Sequence, residues 1–194
     1  MNIRVAEESG FCFGVRKAIE RVRGIEDKSK VHVAGKLIHN PQVIAELEAE
    51  GVMFVESIDD VNEGTVVVSA HGLADSEIEK ARKKGLFIID TTCPLVRNVH
   101  NITKELEGQG YRIIIFGDKN HTEVKGITGN LREPMVISEV AEVAGIPYGR
   151  YALVSQTTQE TSKLPASWRT LGMTRSRSVT RLCSAGSSTM TPAE

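Results

Sequence analysis

The chain has 194 residues, 40% hydrophobic and 25% charged, with a formal net charge of −1. A chain of this length buries about 70% of its unfolded surface without disulfide staples. Its charge balance excludes a generally basic nucleic-acid surface, and no apolar run reaches the roughly 18 residues of a membrane span.

The predicted elements alternate. Ile3-Arg4-Val5-Ala6 reads as a first strand, and Val15, Ala18, Ile19 and Val22 have helical spacing. Val31 to Ala34 reads as a strand. Pro41 then opens a helix that Gly51 stops, proline suiting a first turn and glycine a C-terminal end. Val52 to Val55 is a short strand. Thr65 to Ser69 is a near-continuous apolar strand, as in a sheet buried on both faces. Ser76 to Lys84 is helical, Leu86 to Asp90 reads as another buried strand, and Pro94 opens a helix running to Gln109. Tyr111 to Phe116 is the strongest strand. A helix starting near His121, a strand at Met135-Val136-Ile137, a weak helix and a strand at Tyr151 to Ser155 complete the body. Strands alternating with helices predict an α/β fold with parallel sheets.

Composition changes near residue 160. Residues 1–160 hold 24 of the 25 acids, whereas residues 161–194 hold one acid, five basic residues and 13 serines or threonines. Two readings fit this segment: a disordered basic tail, or a stretch that is not the natural continuation of the body, as after a reading-frame error or a truncation.

The body also repeats itself with a period of 81 to 86 residues. Cys12-Phe13-Gly14-Val15-Arg16 aligns with Cys93-Pro94-Leu95-Val96-Arg97. Gly35 before His39 aligns with Gly117 before His121, and Val67-Val68-Ser69-Ala70-His71 aligns with Leu153-Val154-Ser155-Gln156-Thr157. The expected organisation is a first lobe over 1–92 and a second over 93–160, or as far as about 182. Residues 161–194 then form an anomalous tail where a third lobe would begin. Each lobe places a cysteine, a histidine and a histidine or threonine on strand-end loops, which gather the ligand site in open α/β sheets.

Acids at Glu7 and Glu8 stand where a signal peptide would turn apolar, so the cytoplasm is the expected location. In a reducing compartment Cys12, Cys93 and Cys183 are expected as free thiols, used in a core, in catalysis or on a metal. They lack the local spacing of a zinc site. Three isolated cysteines from related lobes could instead hold an iron–sulfur cluster, leaving one iron without a protein ligand to act as a Lewis acid. His39 and His121 fall at strand-to-helix turns and His71 just after a buried strand, and helix N-termini with imidazoles suit phosphate; capping or solvated loop histidines are the alternative. His32 and His100 read as structural. Glu123, two residues after His121, is either a proton donor or a helix-dipole partner. There is neither a P-loop nor a Rossmann glycine motif.

Six segments together resemble the 4-hydroxy-3-methylbut-2-enyl diphosphate reductase family of the non-mevalonate isoprenoid pathway. They are Gly10 to Val15, Leu37 to Pro41, Ser69 to Gly72, Asp90 to Val96, His121 to Gly126 and Ser155 to Thr158. The resemblance covers residues 1 to about 160. It implies three α/β lobes around a central 4Fe–4S cluster held by three cysteines, here Cys12, Cys93 and Cys183. It also implies reductive loss of the substrate hydroxyl, with electrons from a ferredoxin or flavodoxin-type donor. By the same resemblance His39, His71 and His121 hold the allylic diphosphate, Thr157 positions the hydroxyl, and Glu123 sits on the proton path. No nucleic-acid or membrane partner is implied.

The tail departs from this pattern. Cys183-Ser184-Ala185-Gly186 matches the family's Cys-x-Ala-Thr segment only in part, no Arg-Gln follows, and the Ser-Ser-Asn diphosphate segment has no counterpart. An inactive fragment and a non-catalytic phosphometabolite-binding α/β module are the alternative expectations.

Overall fold

The structure is a computed structural model and describes residues 10–159. The expected strand at Ile3 to Ala6, the tail and Cys183 lie outside the described residues. The chain divides into two compact units, Met1–Asn98 and Val99–Glu194.

The first unit starts with α1 (Phe13–Arg23), β1 (Val31–Ala34), α2 (Pro41–Ala49), β2 (Met53–Val55) and a short 3-10 helix, Ile58–Asp60. β3 (Thr65–Val68), α3 (Asp75–Lys83) and β4 (Phe87–Asp90) follow. Its four strands pair in the order β2-β1-β3-β4, every ladder parallel. Side chains alternate across the pleat, so Val31, Val33 and Val67 face one core and Ala34 and Val66 the other. The first core is closed by Ala18, Ile19 and Val22 of α1 and Val43 and Leu47 of α2. The second is closed by Ile58, Val61, Ala81 and Leu86. Each fully buried Val or Ile contributes about 1.5–3 kcal/mol, which makes this sandwiching the main stabilisation.

The helix α4 (Pro94–Gly108) begins in the first unit and ends in the second, followed by β5 (Arg112–Phe116), α5 (Thr122–Thr128), β6 (Met135–Ile137), a 3-10 helix Val140–Gly145 and β7 (Tyr151–Ser155). The three strands pair in the order β6-β5-β7, again all parallel. Val99 and Leu106 of α4 join Val124 and Ile127 of α5 over Ile113 and Ile115. On the other face Ile114, Phe116 and Ile137 pack with Val143 and Ile146.

The duplication seen in the sequence is therefore architectural. Helix, strand, helix, strand, 3-10 helix and strand recur in the same order from α1 to β3 and from α4 to β7. Single hydrogen bonds recur with them. Gly35 N–H donates to the Val55 carbonyl at 2.8 Å, and Gly117 N–H to the Ile137 carbonyl at 2.9 Å.

Two expectations are corrected. β4 is not a strand buried on both faces: among the described residues it is an edge strand, with Phe87 67% exposed. Its apolar run resembles that of β3, and only neighbour order separates a central strand from an edge. The weak helix after Ile137 is a 3-10 helix capped reciprocally by Glu139 and Glu142. Among the described residues no helix is long and apolar enough to cross a membrane.

Candidate active site

In the first sheet the strand order reverses between β1 and β3, and such a switch point opens a crevice at the strands' carboxyl ends. Gly35, at φ +71°, turns the chain out of β1, a conformation that costs glycine little. Leu37 and Ile38 are drawn into the core, and Ala70 N–H donates to the Leu37 carbonyl at 3.3 Å, tying the two strand-end loops together. His39 is left exposed beside Asn40. The Asn40 Oδ1 accepts from the N–H groups of Gln42 and Val43 at 3.0 and 3.1 Å, which caps α2. His71 follows β3 and directly precedes Gly72, which has φ +78° and whose N–H donates to the Ser69 carbonyl at 3.1 Å. The His39 and His71 rings lie 4.4 Å apart between centroids, tilted by 50°. Two imidazoles beside a capped helix start can bind an anion.

The loop that follows β3 runs through Ser69-Ala70-His71-Gly72 and meets the backbone of Cys93 at the Ala70 carbonyl. Cys12 is the exposed N-cap residue of α1; its carbonyl accepts from Arg16 N–H at 3.0 Å, while its side chain makes no capping bond. Cys93 is part-exposed and stands just before α4, its N–H donating to the Ala70 carbonyl at 3.0 Å and its carbonyl accepting from Arg97 N–H at 2.9 Å. The missing side chain of Gly14 admits the second cysteine: a Cβ there would fall 2.7 Å from the Cys93 Sγ. The Cys93 loop is held firmly. Thr91 bonds the Val68 carbonyl through its N–H (3.1 Å) and its hydroxyl (2.5 Å). Burial pushes the Asp90 carboxyl up, but the Thr92 hydroxyl and N–H and the Arg97 guanidinium outweigh it and hold the group below its ordinary value. Both thiols are free of disulfides, accessible, and placed at helix starts, where negative charge is favoured. That donor set fits two thiolate ligands of an iron–sulfur cluster.

The second sheet has its own switch point, between β5 and β7. His121 is the N-cap of α5, its Nδ1 accepting from Glu123 N–H at 3.2 Å. A ring accepting at Nδ1 carries its proton on Nε2, which can donate toward a ligand. Glu123 is 1% exposed. Thr157, just past β7, donates its N–H to one carboxylate oxygen at 2.7 Å and its hydroxyl to the other at 2.9 Å. Burial raises the Glu123 pKa above its ordinary value, with the two Thr157 bonds opposing. A carboxyl so placed keeps its proton to higher pH than an ordinary glutamate and can act as a proton donor.

A sequence model of the family described as LytB protein matches residues 3–190. This chain belongs to the LytB family. The LytB chain is 39% identical over 148 residues to 4-hydroxy-3-methylbut-2-enyl diphosphate reductase of Wolbachia sp. subsp. Brugia malayi, covering 73% of this chain and 48% of that protein. It is 40% identical over 166 residues to the reductase of the same name from Caldanaerobacter subterraneus, covering 81% and 58%. Its fold matches the solved E-1-hydroxy-2-methyl-but-2-enyl-4-diphosphate reductase of Plasmodium falciparum with a TM-score of 0.79 at 34% identity, over 85% of this chain and 54% of that one. The LytB chain thus spans about half the length of the relatives it matches.

Among the residues singled out from sequence, the structure brings His39 to His71 and Glu123 to Thr157 and His121. His100 is buried, its Nδ1 3.0 Å from the Asn130 side-chain nitrogen. Gln156 was missed. It is 4% exposed, its Oε1 accepts from Asp118 N–H at 3.1 Å, and its Nε2 donates to the Thr158 hydroxyl at 2.7 Å. It fastens the loop before His121 to the loop bearing Thr157. The available signal was its position in the repeat, where the first lobe has Ala70. Gly14 and Asp90 were likewise visible only as parts of motifs.

Proposed function

We propose that this chain carries cluster-binding and substrate-binding parts of a 4-hydroxy-3-methylbut-2-enyl diphosphate reductase acting in the cytoplasm. The substrate's C–O bond breaks and a C–H bond forms; two electrons and two protons are consumed, and water leaves with isopentenyl or dimethylallyl diphosphate as the product. His39, His71 and His121 bind the diphosphate. Cys12, Cys93 and, from outside the described residues, Cys183 hold the 4Fe–4S cluster. When bound, that cluster supplies single electrons, received from a ferredoxin or flavodoxin-type donor, and a Lewis-acidic iron.

The chain's own contribution is binding and proton delivery. Imidazole N–H groups on the strand-end loops donate hydrogen bonds to phosphate oxygens and fix the substrate's charged end. Thr157 orients the hydroxyl that leaves, and Glu123 supplies its proton. The observation that carries this reading is the buried Glu123 carboxyl, clamped by Thr157 N–H and O–H. Burial disfavours its charged form, so the proton is retained until the leaving oxygen needs it.

The test is anaerobic reconstitution of the protein followed by turnover with an artificial electron donor. Glu123→Gln is expected to spare iron content and diphosphate binding and to lower turnover by about 10²-fold or more, the scale of a general acid. Turnover within a factor of two of the parent would remove Glu123 from the proton path.

A further inference from the structure

The start of α4 is held by one side chain that the proposed reaction does not use. The Asp90 Oδ1 accepts from Thr92 N–H at 2.8 Å and from the Thr92 hydroxyl at 2.5 Å. Its Oδ2 pairs with Arg97 Nη1 at 2.9 Å. Its backbone carbonyl accepts from Arg21 Nη1 of α1 at 3.2 Å. Residue 90 therefore meets the residue just before Cys93, the residue one helical turn after it, and the helix that begins at Cys12.

We propose that Asp90 is a positioning residue that sets the direction of the Cys93 thiol, which rests on the reading of Cys93 as a cluster ligand. The geometry leaves the thiol little freedom. Upstream, the Asx-type turn from Asp90 to Thr92 fixes the backbone entering Cys93. Downstream, the Asp90–Arg97 pair fastens the first turn of α4, whose Arg97 N–H already bonds the Cys93 carbonyl. Laterally, the Arg21 contact holds α1 against the same loop, with Gly14 two turns earlier making room for the sulfur. Thr91 and Cys93 N–H supply the remaining ties, to Val68 and Ala70. A ligand must meet its metal within a few tenths of an ångström, and supporting hydrogen bonds commonly set that direction. The Arg97 side chain is exposed, so the ion pair alone is a minor contributor and the Thr92 bonds carry more of the effect.

The experiment uses the metal-free full chain. Alkylation rates of Cys93 and Cys12 with iodoacetamide are resolved by mass spectrometry, then iron and sulfide are counted after anaerobic reconstitution. Asp90→Ala should raise the Cys93 rate about tenfold relative to Cys12, the effect of losing one to two net hydrogen bonds, and should reduce iron per chain and alter the cluster's electron paramagnetic resonance signal. Asp90→Asn keeps an oxygen acceptor for Thr92 and should lie nearer the parent. An unchanged Cys93 rate in folded Asp90→Ala overturns the proposal. If that variant does not fold, an unchanged Cys93 rate in Thr92→Val, which removes the Thr92 hydroxyl bond to Asp90, overturns it equally. Failure of the underlying reading shows separately: Cys93→Ser with undiminished iron removes Cys93 as a ligand, whatever the alkylation rates are.

Discussion

Replacing Gly14 by alanine separates stability from ligand geometry. Gly14 is the second residue of α1, where alanine's advantage over glycine is at most the roughly 0.8–1.0 kcal/mol of a helix interior. Against this, the new methyl would sit 2.7 Å from the Cys93 Sγ and 3.2 Å from its Cβ. Ordinary contact begins near 3.4 Å, so the sulfur must retreat by several tenths of an ångström. Two responses are open. Backbone displacement would cost about 1–3 kcal/mol, the usual range for overpacking. Rotation of the Cys93 side chain would cost less and turn the sulfur away. The helix gain offsets much of either cost, so Gly14→Ala should change unfolding free energy by no more than about 1–2 kcal/mol. Iron content after reconstitution should nevertheless fall well below the parent, and Cys93 should alkylate at an altered rate while Cys12 does not. The assays are urea unfolding, iron and sulfide counting, and site-resolved alkylation. Parent-level iron together with a parent-level Cys93 rate would refute the reasoning, because it would mean that the sulfur's place against α1 is immaterial.

Glu123→Gln should also change the pH profile of stability. The raised folded pKa means that the native state binds the extra proton, so stability is lost as pH rises from about 4.5 through the folded value; the variant should lack that decline in thermal melts, and an identical profile would contradict it. Glu142 behaves oppositely. Bonds from Lys119, Ser138 N–H and Glu139 N–H lower its pKa to about 2, so its contribution is present above the ordinary value of 4.5 and is lost as pH falls through about 2. Glu142→Gln should flatten acid-range melting, and an unaltered acid limb would count against the capping role. Asn40→Ala removes the cap of α2 beside His39 and should cost about 1 kcal/mol in urea unfolding; a change below a few tenths would show that another group satisfies those N–H donors. Serine variants of Cys12 and Cys93 should each lower bound iron, and parent-level iron in either would exclude that thiol as a ligand.

Local order was legible in the chain because it depends on neighbours in sequence. Helical spacing from Val15 to Val22, the Pro41 start, the valine run of β3 and the isoleucine run of β5 specify element type through periodicity and backbone chemistry. The repeat of Cys12 at Cys93 and of His39 at His121 marked the strand-end loops before any coordinate did, since a duplicated fold keeps its site-bearing positions. Tertiary structure alone decided the rest. β3 and β4 have similar apolar runs, yet one is central and the other an edge, because burial depends on which strand pairs beside it. Glu123 in a helix's first turn could equally have faced solvent. It is a sealed carboxyl because parallel pairing of β5 with β7 brings Thr157 from 34 residues away onto both of its oxygens. The requirement for glycine at position 14 is of the same kind: nothing in α1 itself demands it, and only the packing of the Cys93 sulfur against that helix leaves no room for a methyl.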